Sequence, residues 1–198
     1  MRTHFFLFAL MLSTLLPAQT RMRDLFAQAP DSIFPLLTKN NKLDMIDFCE
    51  NSMPGVIKNS FDNRCELLQL TDSYLKLQLS ERCLVEMRLL TDSTFCMVRT
   101  YYGSAPDSHV ALLDTAWHAL PQQVQAPAVR EFLSAEVSED VRLALEALPF
   151  VSATLSADDN SITWHLSCKE LSKEQKSTGL PSDFTKDNNT EFVIKRSL

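Results

Sequence analysis

Cysteine is the most reactive residue type in this sequence. It occurs at 49, 65, 83, 96 and 168, an odd count that leaves at least one thiol free. No Cys-x-x-Cys occurs, so the spacing supports neither a zinc site nor a thioredoxin-like dithiol, and the cysteines read as small core residues. His109, His118 and His165 have no His, Cys or carboxylate at the spacing of a helical metal pair. Trp117-His118 and Trp164-His165 repeat one dipeptide, which suits surface or edge histidines beside a core tryptophan. Glycine is confined to 55, 103 and 179 and no Gly-x-Ser-x-Gly is present, which excludes a glycine-rich phosphate loop and a nucleophile elbow. The adjacent carboxylates Glu139-Asp140 and Asp158-Asp159 are explained by a helix start and a turn, not by an acid and base facing across a cleft. The sequence therefore assigns no catalytic or metal-binding residue, and no cofactor is expected.

Three aromatic residues remain as candidates for binding. Tyr101, Tyr102 and Trp117 bracket a Gly103 to Pro106 turn and the strand after it. Alternation along a strand requires one of the two tyrosines to face away from the core, and an exposed aromatic near a turn is an anchor that binding surfaces use. The competing expectation is structural: Tyr tolerates a half-buried strand position, and Trp117 plugs the end of the sheet.

These residues must be positioned by an antiparallel β-meander over 67–120. In Tyr74 to Leu79 the leucines at 75, 77 and 79 share one face; in the next run Cys83, Val85, Met87 and Leu89 do. Bringing both sets together pairs Leu77 with Val85 and Leu79 with Cys83, across a loop Ser80-Glu81-Arg82. In this register Cys83 and Cys96 lie about 20 Å apart, beyond disulfide reach. Leu77→Asp is expected to be severely destabilising and Lys76→Glu nearly neutral. Leu-Thr-Asp-Ser recurs at 70–73 and 90–93, as two strands with two turns would require. Thr94 to Tyr102 and Ser108 to Leu113 supply two more strands, with large side chains at both odd and even positions, as in strands buried on both faces.

Helices are expected on either side. Met22 to Pro30 reads as one; a second is capped by Asn40 or Asn41 and buries Leu43, Ile46 and Cys49, with Met45 and Phe48 widening the stripe. Gly55 to Arg64 reads as loop or weak helix. After a linker-like 122–127 come a short helix Ala128 to Leu133 and a helix capped by Ser138 that presents Val141, Leu145 and Leu148. A hairpin, Val151 to Leu155 and Ile162 to Leu166, turns at Ala157 to Asn160. Lys169 to Thr190 reads as loop or partly disordered, and Phe192 to Ile194 as a short edge strand. The fold class is α+β, a central antiparallel meander with N- and C-terminal helices packed on it; a closed barrel is the alternative. The expected organisation is a segment 1–18, a single domain 19–168 that could divide into lobes 19–121 and 122–168, and a polar segment 169–198.

Met1-Arg2-Thr3-His4, the apolar Phe5 to Leu16 and Pro17-Ala18 form the parts of a secretory signal peptide cut after Ala18. The apolar stretch is short for a membrane span, which needs about 20 residues. Removing 1–18 deletes one Arg and no acid, leaving 18 basic against 25 acidic residues, or −7. Nucleic acid and anionic membranes are poor partners for that charge.

The run Ala29-Pro30-Asp31-Ser32-Ile33-Phe34-Pro35-Leu36-Leu37-Thr38, then Leu43 to Phe48, Leu70 to Leu77 and Pro106 to Trp117, resembles a family of uncharacterised secreted proteins from Bacteroidales. The resemblance covers most of 22–170. It implies an exported Gram-negative protein, periplasmic or at the cell surface, and lends no catalytic residues. Asp31-Ser32-Ile33 and Asp114-Thr115-Ala116 look like the Asp-Ser/Thr-aliphatic sites on which exported Bacteroidetes proteins carry O-glycans, although short motifs recur by chance and turns explain them better. The expected role is a non-catalytic binding or interaction module of the envelope, its partner an envelope protein or a glycan; the alternative is a hydrolase whose site is assembled from residues distant in sequence.

Overall fold

The structure is a computed structural model and describes residues 20–181 and 191–198; the expected signal peptide lies outside them. The fold is α+β. Six antiparallel strands follow one another in space as in sequence: β1 Gly55–Lys58, β2 Arg64–Leu70, β3 Tyr74–Ser80, β4 Cys83–Leu89, β5 Thr94–Tyr102 and β6 Pro106–Asp114. A second sheet of β7 Val151–Leu155, β8 Ser161–Ser167 and β9 Glu191–Ser197 is ordered β7-β8-β9. The meander thus starts earlier than expected, because the polar stretch 55–64 is strand and turn instead of loop or helix. Period-2 alternation is hard to see in four residues, and β1 is specified by its ladder to β2 and by helix α2, Lys39–Glu50, against it.

Leu77 pairs with Val85 as the alternation demands, but the turn between these strands is tighter than expected. Gln78 pairs with Leu84 and Ser80 with Cys83, so Leu79 is an extra, bulged residue. The bulge lets Leu79 stay buried in the same core as Cys83 while Glu81 and Arg82 make the turn. That core lies on the odd-numbered face of β3–β6. Leu75, Leu77, Val85, Met87, Phe95 and Met97 meet Phe26 of helix α1 (Met22–Ala27), Phe34, and Met45 and Ile46 of α2.

Helix α2 differs in its details. Thr38, not Asn40 or Asn41, is the N-cap: its hydroxyl accepts from Asn41 N–H at 3.1 Å and the Asn41 side chain returns a bond to Thr38 N–H at 3.0 Å. Leu43 is exposed, and Lys42 is buried in its place. The Lys42 ammonium donates to the carbonyl of Ala29, just past the end of α1; burial holds its pKa below the ordinary value against the opposing pull of Asp31.

The even-numbered face is covered by the C-terminal elements. Tyr74, Cys96 and Val98 share a second core with Ala153, Trp164 and Leu166 and with helices α3 (Val129–Phe132) and α4 (Glu139–Ala147). Leu148, expected on the buried stripe of α4, is exposed beyond the helix end. Strand β7 is the part of the second sheet that crosses β4, β5 and β6. The two sheets are pinned at two places. Ser108 Oγ accepts from the edge amide of Ala153 at 2.9 Å while sharing a proton with Thr100 Oγ1 at 2.7 Å. At the other end Arg88 donates to Ala157 O at 2.6 Å and Asn160 Oδ1 at 3.2 Å, at the tip of the β7–β8 hairpin.

The polar stretch after 168 contains a helix, α5 (Lys173–Gly179), capped by Ser172 and docked on α4. Gly179 makes this docking possible, since a Cβ there would lie 2.3 Å from Val141 Cγ2 and 2.6 Å from Ser138 Oγ. The five cysteines are free; four are buried and Cys49 is half-buried.

Candidate functional site

The three aromatic candidates do not converge. Trp117 follows β6 with a φ of 69°, a left-handed conformation that a bulky residue adopts only when its surroundings hold it there. Asp114 Oδ1 accepts from Ala116 N–H and His118 N–H, both at 2.9 Å, and shapes the turn. The indole then lies edge-on to Phe95 at 5.0 Å and Phe34 at 6.2 Å, half-buried against the odd-face core. Tyr101 is six residues along β5 from Phe95, which at ~3.3 Å per residue puts about 20 Å between the tyrosine end and the indole.

Both tyrosines are exposed, Tyr101 by 50% and Tyr102 by 41%, where alternation required only one. The core under each face ends before the strand does: position 101 is opposite Cys83 near a turn, and position 102 is opposite Pro106. The two rings project from opposite faces of a strand hydrogen-bonded on both sides.

Tyr102 looks onto the richer surface. Its N–H donates to Arg82 O at 3.0 Å, so Arg82 and Tyr102 are cross-strand neighbours on the even face. Beyond Arg82 runs an open groove of about 500 Å³ across β2, β3 and the β3–β4 turn, lined by Asn63, Arg64, Glu66, Gln78, Glu81 and Arg82. Gln78 is locked by its own Nε2, which donates to Ser80 O at 2.6 Å and Cys83 O at 3.2 Å. Glu66 is held by Arg64 at 2.8 Å. Under the covered part of this face lies Glu86, only 2% exposed, which accepts from Tyr74 Oη at 2.5 Å and faces Lys76 Nζ at 3.6 Å. Its second oxygen has no partner among the described residues. Burial and the neighbouring carboxylate both push the Tyr74 phenol well above its ordinary value.

A row of polar side chains crosses the second sheet near Tyr102. Thr154 Oγ1 lies 3.3 Å from His165 Nε2, and His165 Nδ1 lies 3.1 Å from Glu191 Oε2, each residue on a different strand. The Tyr102 phenol is raised above its ordinary value by burial first, then by the negative charges of Glu86 and Glu191. The sequence did not reveal this row. His165 is diagonal to both partners in the ladder, and Glu191 stands at the end of a polar stretch whose return to the sheet carries no strong signal. The other histidine–carboxylate contact, His118 Nδ1 to Asp114 Oδ2 at 3.4 Å, belongs to the exposed turn around Trp117. Among the described residues no group of three or more metal-ligating side chains comes together.

The family model for proteins of unknown function, DUF3256, matches residues 14–184. The chain belongs to this family. Among solved structures, the DUF3256 chain is similar to a domain of an uncharacterised protein from Porphyromonas gingivalis W83, with a TM-score of 0.64 at 19% identity over 79% of this chain and 85% of that one. At that identity the likeness shows the fold of the DUF3256 chain and no more. No curated protein matches it.

Proposed function

We propose that this protein is an exported, non-catalytic binding module of the periplasm or cell surface, whose partner is an envelope protein or a glycan. Tyr101 and Tyr102 carry the reading: two adjacent aromatic side chains exposed at the end of a strand that is paired along both edges. A tyrosine on a rigid strand offers contact area with little rotamer entropy to lose, and such residues anchor interfaces. Export rests on the basic, apolar and small-residue pattern of 1–18. Trp117 serves the reading less directly, since its ring is engaged with Phe34 and Phe95.

The test is capture from envelope fractions of the source organism by the intact mature chain and by Tyr101→Ala and Tyr102→Ala. Reduced capture with melting temperature unchanged supports a binding surface. A drop of several degrees, or undiminished capture by both, makes the tyrosines structural and removes the proposed site. Intact-mass analysis of native protein is expected to show loss of about the first 18 residues; Met1 retained on soluble cytoplasmic protein ends the export reading.

One observation favours the hydrolase reading: Thr154, His165 and Glu191 stand in the order of a hydroxyl nucleophile, base and orienting acid. Against it, backbone amides in a sheet lie in the plane of the ladder, so the amides of β7, β8 and β9 do not aim at the space above the Thr154 hydroxyl, where acyl transfer needs donors. Hydrolysis of p-nitrophenyl acetate that disappears in both Thr154→Val and His165→Ala would establish the second reading; loss in His165→Ala alone is simple imidazole catalysis and would not.

A further inference from the structure

We infer that the groove across β2, β3 and the β3–β4 turn, flanked by Tyr102 through its neighbour Arg82, is a binding site for a neutral oligosaccharide. The inference rests on the binding reading above and names its ligand class.

The groove discriminates by composition. Its charged side chains are Arg64 and Arg82 against Glu66 and Glu81, a balance that offers no net attraction to a polyanion or a polycation. No large apolar side chain lines it, so an amphipathic helix or an acyl chain has nothing to bury there. What it does offer is a set of planar, fork-shaped polar groups, guanidinium, carboxylate and carboxamide, which match pairs of neighbouring hydroxyls. Two of these groups are already fixed: Gln78, whose Nε2 is taken up by Ser80 O and Cys83 O so that its oxygen faces a ligand as an acceptor, and Glu66 by Arg64. Binding a hydroxylated ligand then costs little side-chain entropy.

Tyr102 completes the site. It is the cross-strand neighbour of Arg82, and its 41% exposure leaves a ring beside the groove on which the apolar face of a sugar can stack. Tyr101 projects from the opposite face of β5, so its part in the binding reading lies outside this groove.

The experiment is titration of the 15N-labelled mature chain with cellohexaose, maltohexaose, mannohexaose and hexa-N-acetylchitohexaose, followed by amide shifts. At least one probe is expected to move the resonances of Gln78, Arg82 and Tyr102 with millimolar or tighter affinity. Tyr102→Ala and Arg82→Ala should each weaken that probe by roughly tenfold or more. Arg82 lies in an exposed turn, so its variant keeps the test valid should Tyr102→Ala unfold. The inference is overturned if no probe shifts these amides at millimolar concentration, or if the shifts survive both variants. Failure with all four sugars alongside tyrosine-dependent capture of an envelope protein would sink the glycan and leave the binding reading standing; failure of both removes both.

Discussion

The two faces of the six-stranded sheet are covered in different ways. On the odd face, leucine, methionine and phenylalanine from the strands meet Phe26, Phe34, Met45 and Ile46 of the N-terminal segment, and the layer closes over side chains that are almost all apolar. Two cations enter it, and each is spent on a backbone carbonyl: Lys42 on Ala29 O, and Arg99 on Ile33 O at 2.7 Å with its guanidinium 5.9 Å from the Phe34 ring centroid. The even face meets a second sheet instead, and its core contains the Tyr74–Glu86 pair, the Thr100–Ser108–Ala153 bonds and the Arg88 clamp. A helix layer can slide onto a sheet by apolar area alone, because its backbone is already satisfied. A second sheet brings an edge with unpaired amides, and that edge must find hydroxyls and carbonyls at fixed positions.

The largest expected effect breaks the apolar face. Leu77 is fully buried at the centre of the odd face, and Leu77→Asp places a carboxylate there with no partner. A loss of roughly 4 kcal/mol or more is expected in a denaturant titration. The opposite side of the same strand is less tolerant than alternation implied: Lys76→Glu would put a second carboxylate beside buried Glu86, so it should cost stability where a solvated lysine would have been neutral.

Gly179→Ala comes next. It forces apart α5 and the first turn of α4, including the Ser138 N–H to Gly179 O bond, and should cost about 1–3 kcal/mol while leaving the odd-face core untouched. Protection of α1 and α2 amides against hydrogen exchange should therefore persist in this variant; parallel loss in both layers would mean that the two cores unfold as one.

Tyr74→Phe sharpens the comparison through pH. It deprives Glu86 of its hydrogen bond and should cost about 1–3 kcal/mol near neutrality. The folded phenol has its pKa raised above the ordinary 10.0, and burial pushes the Cys96 thiol from 9.0 up to about 12. Above those ordinary values the unfolded chain has released protons that the folded chain still holds, so stability falls as pH rises, from about pH 9 to 12 for the thiol and from about pH 10 upward for the phenol. The phenol's share of this alkaline loss should be absent from Tyr74→Phe.

Arg88→Ala tests the clamp. Losing its bonds to Ala157 O and Asn160 Oδ1 should cost ~1–2 kcal/mol and raise hydrogen exchange at the β7–β8 tip, with β3 and β4 unaffected.

How much of this was legible follows from range. The leucines at 75, 77 and 79 and the alternation from Cys83 to Leu89 specify the odd face and the Leu77–Val85 register from neighbours two residues apart. The bulge at Leu79 was not legible, because a three-residue loop and a two-residue turn with a bulge place the same leucine on the same face. β1 is four residues long and takes its shape from β2 and α2. The polar contacts between the sheets join residues 45 to 72 positions apart, such as Ser108 with Ala153 and Arg88 with Asn160, and no periodicity encodes such pairs. The same holds for the candidate site. An exposed tyrosine near a turn could be read from alternation, but its neighbours Gln78 and Arg82 look like ordinary strand and turn residues, and the proximity of Glu191 depends on how the second sheet lands.

The smallest expected effect is at the same hairpin tip, and it separates clamp from turn. Asp159 accepts from the Ser161 hydroxyl and faces Lys195 Nζ at 3.4 Å, and these bonds, the Ser161 one foremost, hold its pKa down from 3.8 to about 2. A depressed carboxyl stabilises the fold above its ordinary value and loses that contribution as pH falls from about 3.8 towards 2. Asp159→Asn should therefore leave neutral stability almost unchanged, since the group is exposed, and slightly flatten the acid limb of a stability-against-pH curve. Arg88→Ala should do the reverse, lowering stability at every pH without changing the acid limb. If Asp159→Asn instead loosens the tip as much as Arg88→Ala does, the tip is held by its own turn as much as by the first sheet, and the polar fastening of the even face would rest on the Ser108–Ala153 bond.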